Sequence, residues 1–194
     1  KAKGQKDIGQ VRDPEAIIDD ISQFFEQQVD QVRAGTFSHP GGPITTGKDV
    51  ARLVQPLAKK AQENLCAVCL DKDGYPVAVL KHTVGRSDMA LADPKHMLGA
   101  VYEIPGVKSF WIVHNHPGAS PKQSGQDHQL TRKIYDLNFA HGAPAFNGSV
   151  VVTRDGQGSV ISTEGGKPQS GKQDFFKGLS PNLSDSGKQS IPYM

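Results

Sequence analysis

At 194 residues the chain has room for one domain of ordinary size plus tails, and 36% apolar content beside 21 glycines and 13 prolines assigns much of it to loops. The net charge of +2 neither demands nor excludes nucleic acid, because the basic residues are scattered and only Lys59-Lys60 and Arg132-Lys133 are adjacent. No run approaches the ~18 apolar residues of a membrane-spanning helix, which excludes that class.

In chain order, residues 1–13 are polar. Asp13-Pro14-Glu15 then reads as an N-cap, a proline at the first helical position and an acidic first turn. Ile17, Ile18, Ile21, Phe24, Phe25, Val29 and Val32 recur at helical spacing, so an amphipathic helix is expected over 14–33. Its apolar stripe packs on its own domain or, in a second reading, mediates dimerisation. Pro40, Gly41, Gly42 and Pro43 break the chain, and Thr46-Gly47-Lys48-Asp49 leads into a second helix expected to end near Gln62.

Leu65 to Leu70 and Pro76 to His82 read as a hairpin around Asp71-Lys72-Asp73-Gly74. Asp93-Pro94 opens a helix carrying Met97, Leu98, Val101 and Tyr102. Ser109 to Val113 is a buried strand, 124–137 a helix, and 149–153 with 159–162 a second hairpin. The last part, 164–194, has few apolar residues apart from Phe175-Phe176 and is expected to be a flexible tail. The domains expected are therefore 1–44 (helix and linker), 45–163 (the folded domain) and 164–194 (the tail), with α/β or α+β character and mixed strand pairing.

Cys66 and Cys69 lack the second ligand pair of a zinc knuckle and the strand-to-helix turn of a redox motif. They read as ordinary reduced strand cysteines, which fits a cytoplasmic setting. The N-terminus has no signal-peptide core, and a start at Lys1 is expected for a segment of a longer polypeptide.

The most informative stretch is Phe110-Trp111-Ile112-Val113-His114-Asn115-His116-Pro117, followed by Ser124 and Asp127. Alternate residues of a strand share a face, so His114 and His116 point the same way and Asn115 points away, in a structural role. Asp127, early in the next helix, can return a carboxylate across the loop. Two imidazoles, one carboxylate and one open position are the donor set of a hydrolytic zinc site, where bound water has its pKa lowered toward ~7. A separate carboxylate must then act as general base. Of the five glutamates, Glu15 and Glu26 fall on the first helix and Glu164 opens the tail, which leaves Glu63 and Glu103.

The pattern His-x-His-x7-Ser-x-x-Asp resembles the signature of the JAMM/MPN (JAB) metallopeptidases. The order Glu63-Asn64-Leu65, Cys69 to Gly74, Thr83-Val84-Gly85 and His114-Asn115-His116-Pro117 is similar to the RadC-like branch of that superfamily, over about residues 45–162. The resemblance implies a curved mixed β-sheet flanked by helices, in the cytidine-deaminase-like arrangement. It implies one zinc ion per chain held by His114, His116 and Asp127. Because the family's base sits at the start of an upstream strand, it implies Glu63 in that role, and it implies Ser124 as donor to the developing oxyanion. Ser124-x-x-Asp127 also matches a helix capping box, which accounts for the same two residues without catalysis.

The activity implied is hydrolysis of a peptide or isopeptide bond, including a ubiquitin-like conjugate, with zinc hydroxide as nucleophile. The alternative is a DNA-associated factor with a metal-dependent nuclease or structural role. Gln123 stands where RadC-like chains usually carry proline, and Asn147-Gly148-Ser149-Val150 stands where they carry an Asp-His-containing strand. His128 is read as a surface residue or a neighbour of the ligands, and the remaining histidines carry no mark.

Overall fold

A computed structural model describes residues 36–39, 41–82, 92–169, 171–179 and 189–194. The helix expected over 14–33 lies outside these residues. The described elements run β1 (Thr36–His39), α1 (Gly47–Leu53), β2 (Leu65–Leu70), β3 (Pro76–His82), α2 (Pro94–Tyr102), β4 (Ser109–His116), α3 (Gly125–His141), β5 (Ala145–Thr153), β6 (Gly158–Ser162), β7 (Asp174–Phe176) and β8 (Gln189–Pro192). A six-stranded sheet has the order β3-β2-β4-β5-β6-β7, and β1 pairs with β8 in a second, two-stranded sheet. Only β4 and β5 pair in parallel within the larger sheet, since α3 carries the chain back between them; the other pairs are antiparallel. This is the mixed sheet flanked by helices expected from the sequence.

The central strand β2 is apolar throughout and buried at all six positions, because both of its faces are covered. Cys66, Val68 and Leu70 share a face with Trp111, Val113, Val150 and Val152 and pack with Val50, Leu53 and Val54 of the α1 segment. Leu65, Ala67 and Cys69 share the opposite face with Phe110 and Ile112, packed on Met97, Leu98 and Val101 of α2 and Leu130 and Ile134 of α3. The period-2 alternation of β4 thus puts Phe110, Ile112, His114 and His116 on the α2/α3 face.

Three elements differ from expectation. The second helix stops at Leu53 and continues as a 3-10 turn, Gln55–Lys59, rather than reaching Gln62. Pro56 has no N–H for the helical ladder, and its ring collides with the preceding turn. Helix α3 runs past residue 137 to His141, where Gly142 at φ 94° supplies the left-handed terminus. Strand β5 begins at Ala145, because the register shift opposite Phe110 and Trp111 leaves Asn147 as an extra residue and hides the alternation. Gly148 sits in that bulge at φ 141°, where a Cβ would lie 2.2 Å from the Ile161 carbonyl oxygen.

The expected flexible tail is also corrected: Asp174–Phe176 and Gln189–Pro192 are strands. Backbone pairing with the otherwise open edge of β6, and burial of Leu179 and Ile191, outweigh the polar composition. No helix among the described residues is long and apolar enough to cross a membrane.

Candidate metal centre

The C-terminal end of β4 delivers His114 and His116 to one point, and the first turn of α3 delivers Asp127 to the same point. His114 Nε2 lies 3.1 Å from His116 Nε2 and 3.2 Å from Asp127 Oδ1, while His116 Nε2 lies 3.4 Å from Asp127 Oδ2. The three side chains form a group that could hold a metal ion, as the sequence predicted. His114 and Asp127 are buried, at 1% and 3% exposure, and His116 faces the opening.

Asp127 is doubly placed. Its Oδ2 accepts the Ser124 N–H at 2.6 Å, and its own N–H donates to Ser124 Oγ at 3.1 Å. This is a complete capping box. The cap therefore aims the carboxylate, and the two readings of Ser124-x-x-Asp127 describe one arrangement. Burial opposes ionisation of Asp127, but hydrogen bonds from His114, His116 and the Ser124 amide outweigh it and hold the carboxyl well below its usual range. Burial also disfavours the charged form of His116, yet Asp127 and the Ser120 carbonyl raise its pKa.

The donor chemistry fits a metal such as zinc. His116 Nδ1 lies 3.0 Å from the Ser120 carbonyl oxygen, which can only accept, so Nδ1 donates and Nε2 is the nitrogen that would bind the ion, giving up its proton and its bond to Asp127 on doing so. His114 Nδ1 is buried without a hydrogen-bond partner among the described residues.

A cleft of about 350 Å³ opens at His116 and Asp127 and is lined also by Glu63, Pro117, Ser120 and Ser124 among others. Glu63 precedes β2, whose Leu65 pairs directly with His114. The competing Glu103 is exposed and terminates α2, outside the cleft lining. A larger concavity of about 810 Å³ lies toward Lys108, Ser109 and Trp111 at the start of β4 and contains none of the triad.

Gln123 carried no sequence signal for its role, and Asn115 carried only its place on the strand face away from the ligands. Gln123 is buried at 1% exposure; its amide donates to the Ser149 and Ser159 carbonyls and accepts from Ser149 Oγ. It fastens the loop between His116 and Asp127 onto β5 and β6. Asn115, expected to be structural, is fully buried and bonds the segment that carries Glu63.

A mixed sheet flanked by helices, with His-x-His at a strand end and a capping-box aspartate opposite, defines a domain of the JAMM/MPN class. The RadC-like JAB domain matches residues 44–163, and the chain belongs to that family. A UPF0758 protein of Clostridium acetobutylicum is 29% identical over 99 residues, covering 49% of this chain and 42% of the relative. One from Latilactobacillus sakei is 30% identical over 91 residues, covering 47% and 40%. One from Streptococcus agalactiae serotype V is 27% identical over 132 residues, covering 66% and 54%. The chain thus spans about half or less of the length of these relatives.

Proposed function

We propose that the protein is a zinc-dependent hydrolase of peptide or isopeptide bonds, with His114, His116 and Asp127 as ligands, Glu63 as general base and Ser124 as donor to the substrate carbonyl oxygen. The observation that carries this reading is the common cleft: Glu63 and Ser124 line the same wall space as His116 and Asp127. When bound, zinc supplies Lewis acidity and a water whose pKa is lowered toward ~7.

The rest of the chemistry falls to the chain. Glu63, which binds no metal in this reading, takes a proton from water and delivers it to the leaving amine. Ser124 Oγ uses one lone pair to accept the Asp127 N–H. Its hydroxyl proton stays available to the carbonyl oxygen as charge develops there, so capping and oxyanion stabilisation do not compete. Asp127 stays ionised and anchored by the Ser124 amide. Among the described residues the cleft lining contains no lysine or arginine, so a phosphodiester substrate would have only the metal as counter-charge there, which favours the amide reading over the nuclease alternative.

The test combines metal content with cleavage. Elemental mass spectrometry is expected to find about one zinc per chain, lost in Asp127→Ala. Glu63→Ala is expected to keep its zinc while losing cleavage of peptide and isopeptide substrates by ~100-fold or more. A zinc-loaded protein inert toward both substrate types, or a Glu63→Ala variant with undiminished cleavage, would overturn the proposal.

A further inference from the structure

We infer that Asn115, the residue between the two histidines, is the positioning residue that sets Glu63 over the metal site; this rests on the role proposed above for Glu63. Its side chain points to the face of β4 opposite the ligands and is fully buried. There its carboxamide is bonded at both ends. Oδ1 accepts the Asn64 N–H at 2.7 Å, and Nδ2 donates to the Lys60 carbonyl at 3.2 Å and the Gln62 carbonyl at 3.0 Å. The Asn115 N–H also reaches the Asn64 carbonyl at 3.4 Å.

These bonds bracket Glu63 on both sides in sequence. The segment from Lys60 to Asn64 has no helical or strand pairing to define its path, and Glu63 itself makes no hydrogen bond to another residue's side chain among the described residues. The backbone at 63 is therefore held by Asn115 and by the start of β2. The element that aims the two imidazoles aims the base as well, because successive β4 side chains leave opposite faces of one strand. A residue with only an acceptor or only donors could not make this clamp. Asparagine carries both on one short, stiff arm.

The geometry accounts for the residue type at 115 in a way that filling space does not. A small apolar side chain would suit a buried strand position, yet it would leave the Lys60 and Gln62 carbonyls and the Asn64 amide without these partners.

The test uses the full chain loaded with Co2+, whose visible absorption band reports the environment of the ion, and compares wild type, Glu63→Gln and Asn115→Ala. Asn115→Ser serves as a second variant that keeps a hydroxyl in the buried position, should alanine impair folding. The expected result is metal stoichiometry and far-UV circular dichroism like wild type, with faster amide exchange at 60–64. The pH midpoint of the Co2+ band should move in both Asn115 variants in the same sense as in Glu63→Gln, by up to about one unit. A moved midpoint with faster exchange at 60–64, without loss of fold, separates positioning from a merely structural role. A midpoint moved by Glu63→Gln but unmoved in the Asn115 variants would overturn the clamp alone. A midpoint unmoved even by Glu63→Gln would overturn the assignment of Glu63 and the purpose of the clamp with it.

Discussion

Cys66 and Cys69 show how position overrides residue type. Both are buried free thiols, and burial pushes each up to about 12 from an ordinary value near 9. At pH 8 the folded protein should react with a thiol reagent far more slowly than the protein in denaturant, where two thiols per chain titrate. The pH dependence follows in sign. Between about 9 and 12 the unfolded chain has lost thiol protons that the folded chain keeps, so stability falls as pH rises through that window. Chemical denaturation across pH 8 to 11 should show that fall, flattened in a Cys66→Ala/Cys69→Ala variant. The Cys-x-x-Cys pair is thereby a core feature.

At the scale of the element, α3 links stability to the candidate metal centre through its first turn. Ser124→Ala removes the oxygen that caps the Asp127 amide but leaves the Ser124 N–H that holds Asp127 Oδ2. The variant should lose about 1 kcal/mol of stability, a lowering of melting temperature of ~2–4 °C, while retaining its metal stoichiometry. Calorimetry and elemental analysis on the same sample separate the two effects. If metal binding were lost with the hydroxyl, the backbone amide would not be what orients the carboxylate. Strand β4 makes the same point from the other side of the site: one stretch of period-2 structure supplies two imidazoles on one face and the Asn115 carboxamide on the other.

At the scale of the molecule, strands far apart in sequence close on one another. Strands β1 and β8 pair with each other, and Ile191 and Phe37 are both buried in the core that packs on α1. Tyr193 stands edge-on to Phe37 with ring centroids 5.0 Å apart, and the Met194 backbone bonds Val79 and Lys81 on the open side of β3. Deleting 189–194 should expose Phe37 and the outer edge of β3. The loss of buried side chains worth ~1.5–3 kcal/mol each should lower the melting temperature by more than ~5 °C and promote self-association on heating. Scanning calorimetry with light scattering checks both, and an unchanged transition would show that the two-stranded sheet adds nothing to the domain.

Features with local causes could be read from short stretches of the chain. The β2-β3 hairpin, the Asp93-Pro94 start of α2, the shared face of His114 and His116, and the capping box at Ser124 all follow from periodicity, turn residues and caps. The group of His114, His116 and Asp127 that could hold a metal was legible for the same reason, since its members fall on one strand end and the helix that follows it. Tertiary structure decided what depends on partners distant in sequence. Strand β7 exists because β6 has an open edge, β5 begins early because a bulge brings it into register with β4, and residues 60–64 take their path from a carboxamide fifty residues away. Such interactions draw their free energy from burial and from backbone groups paired across the fold, and neither composition nor spacing within a short window carries that information.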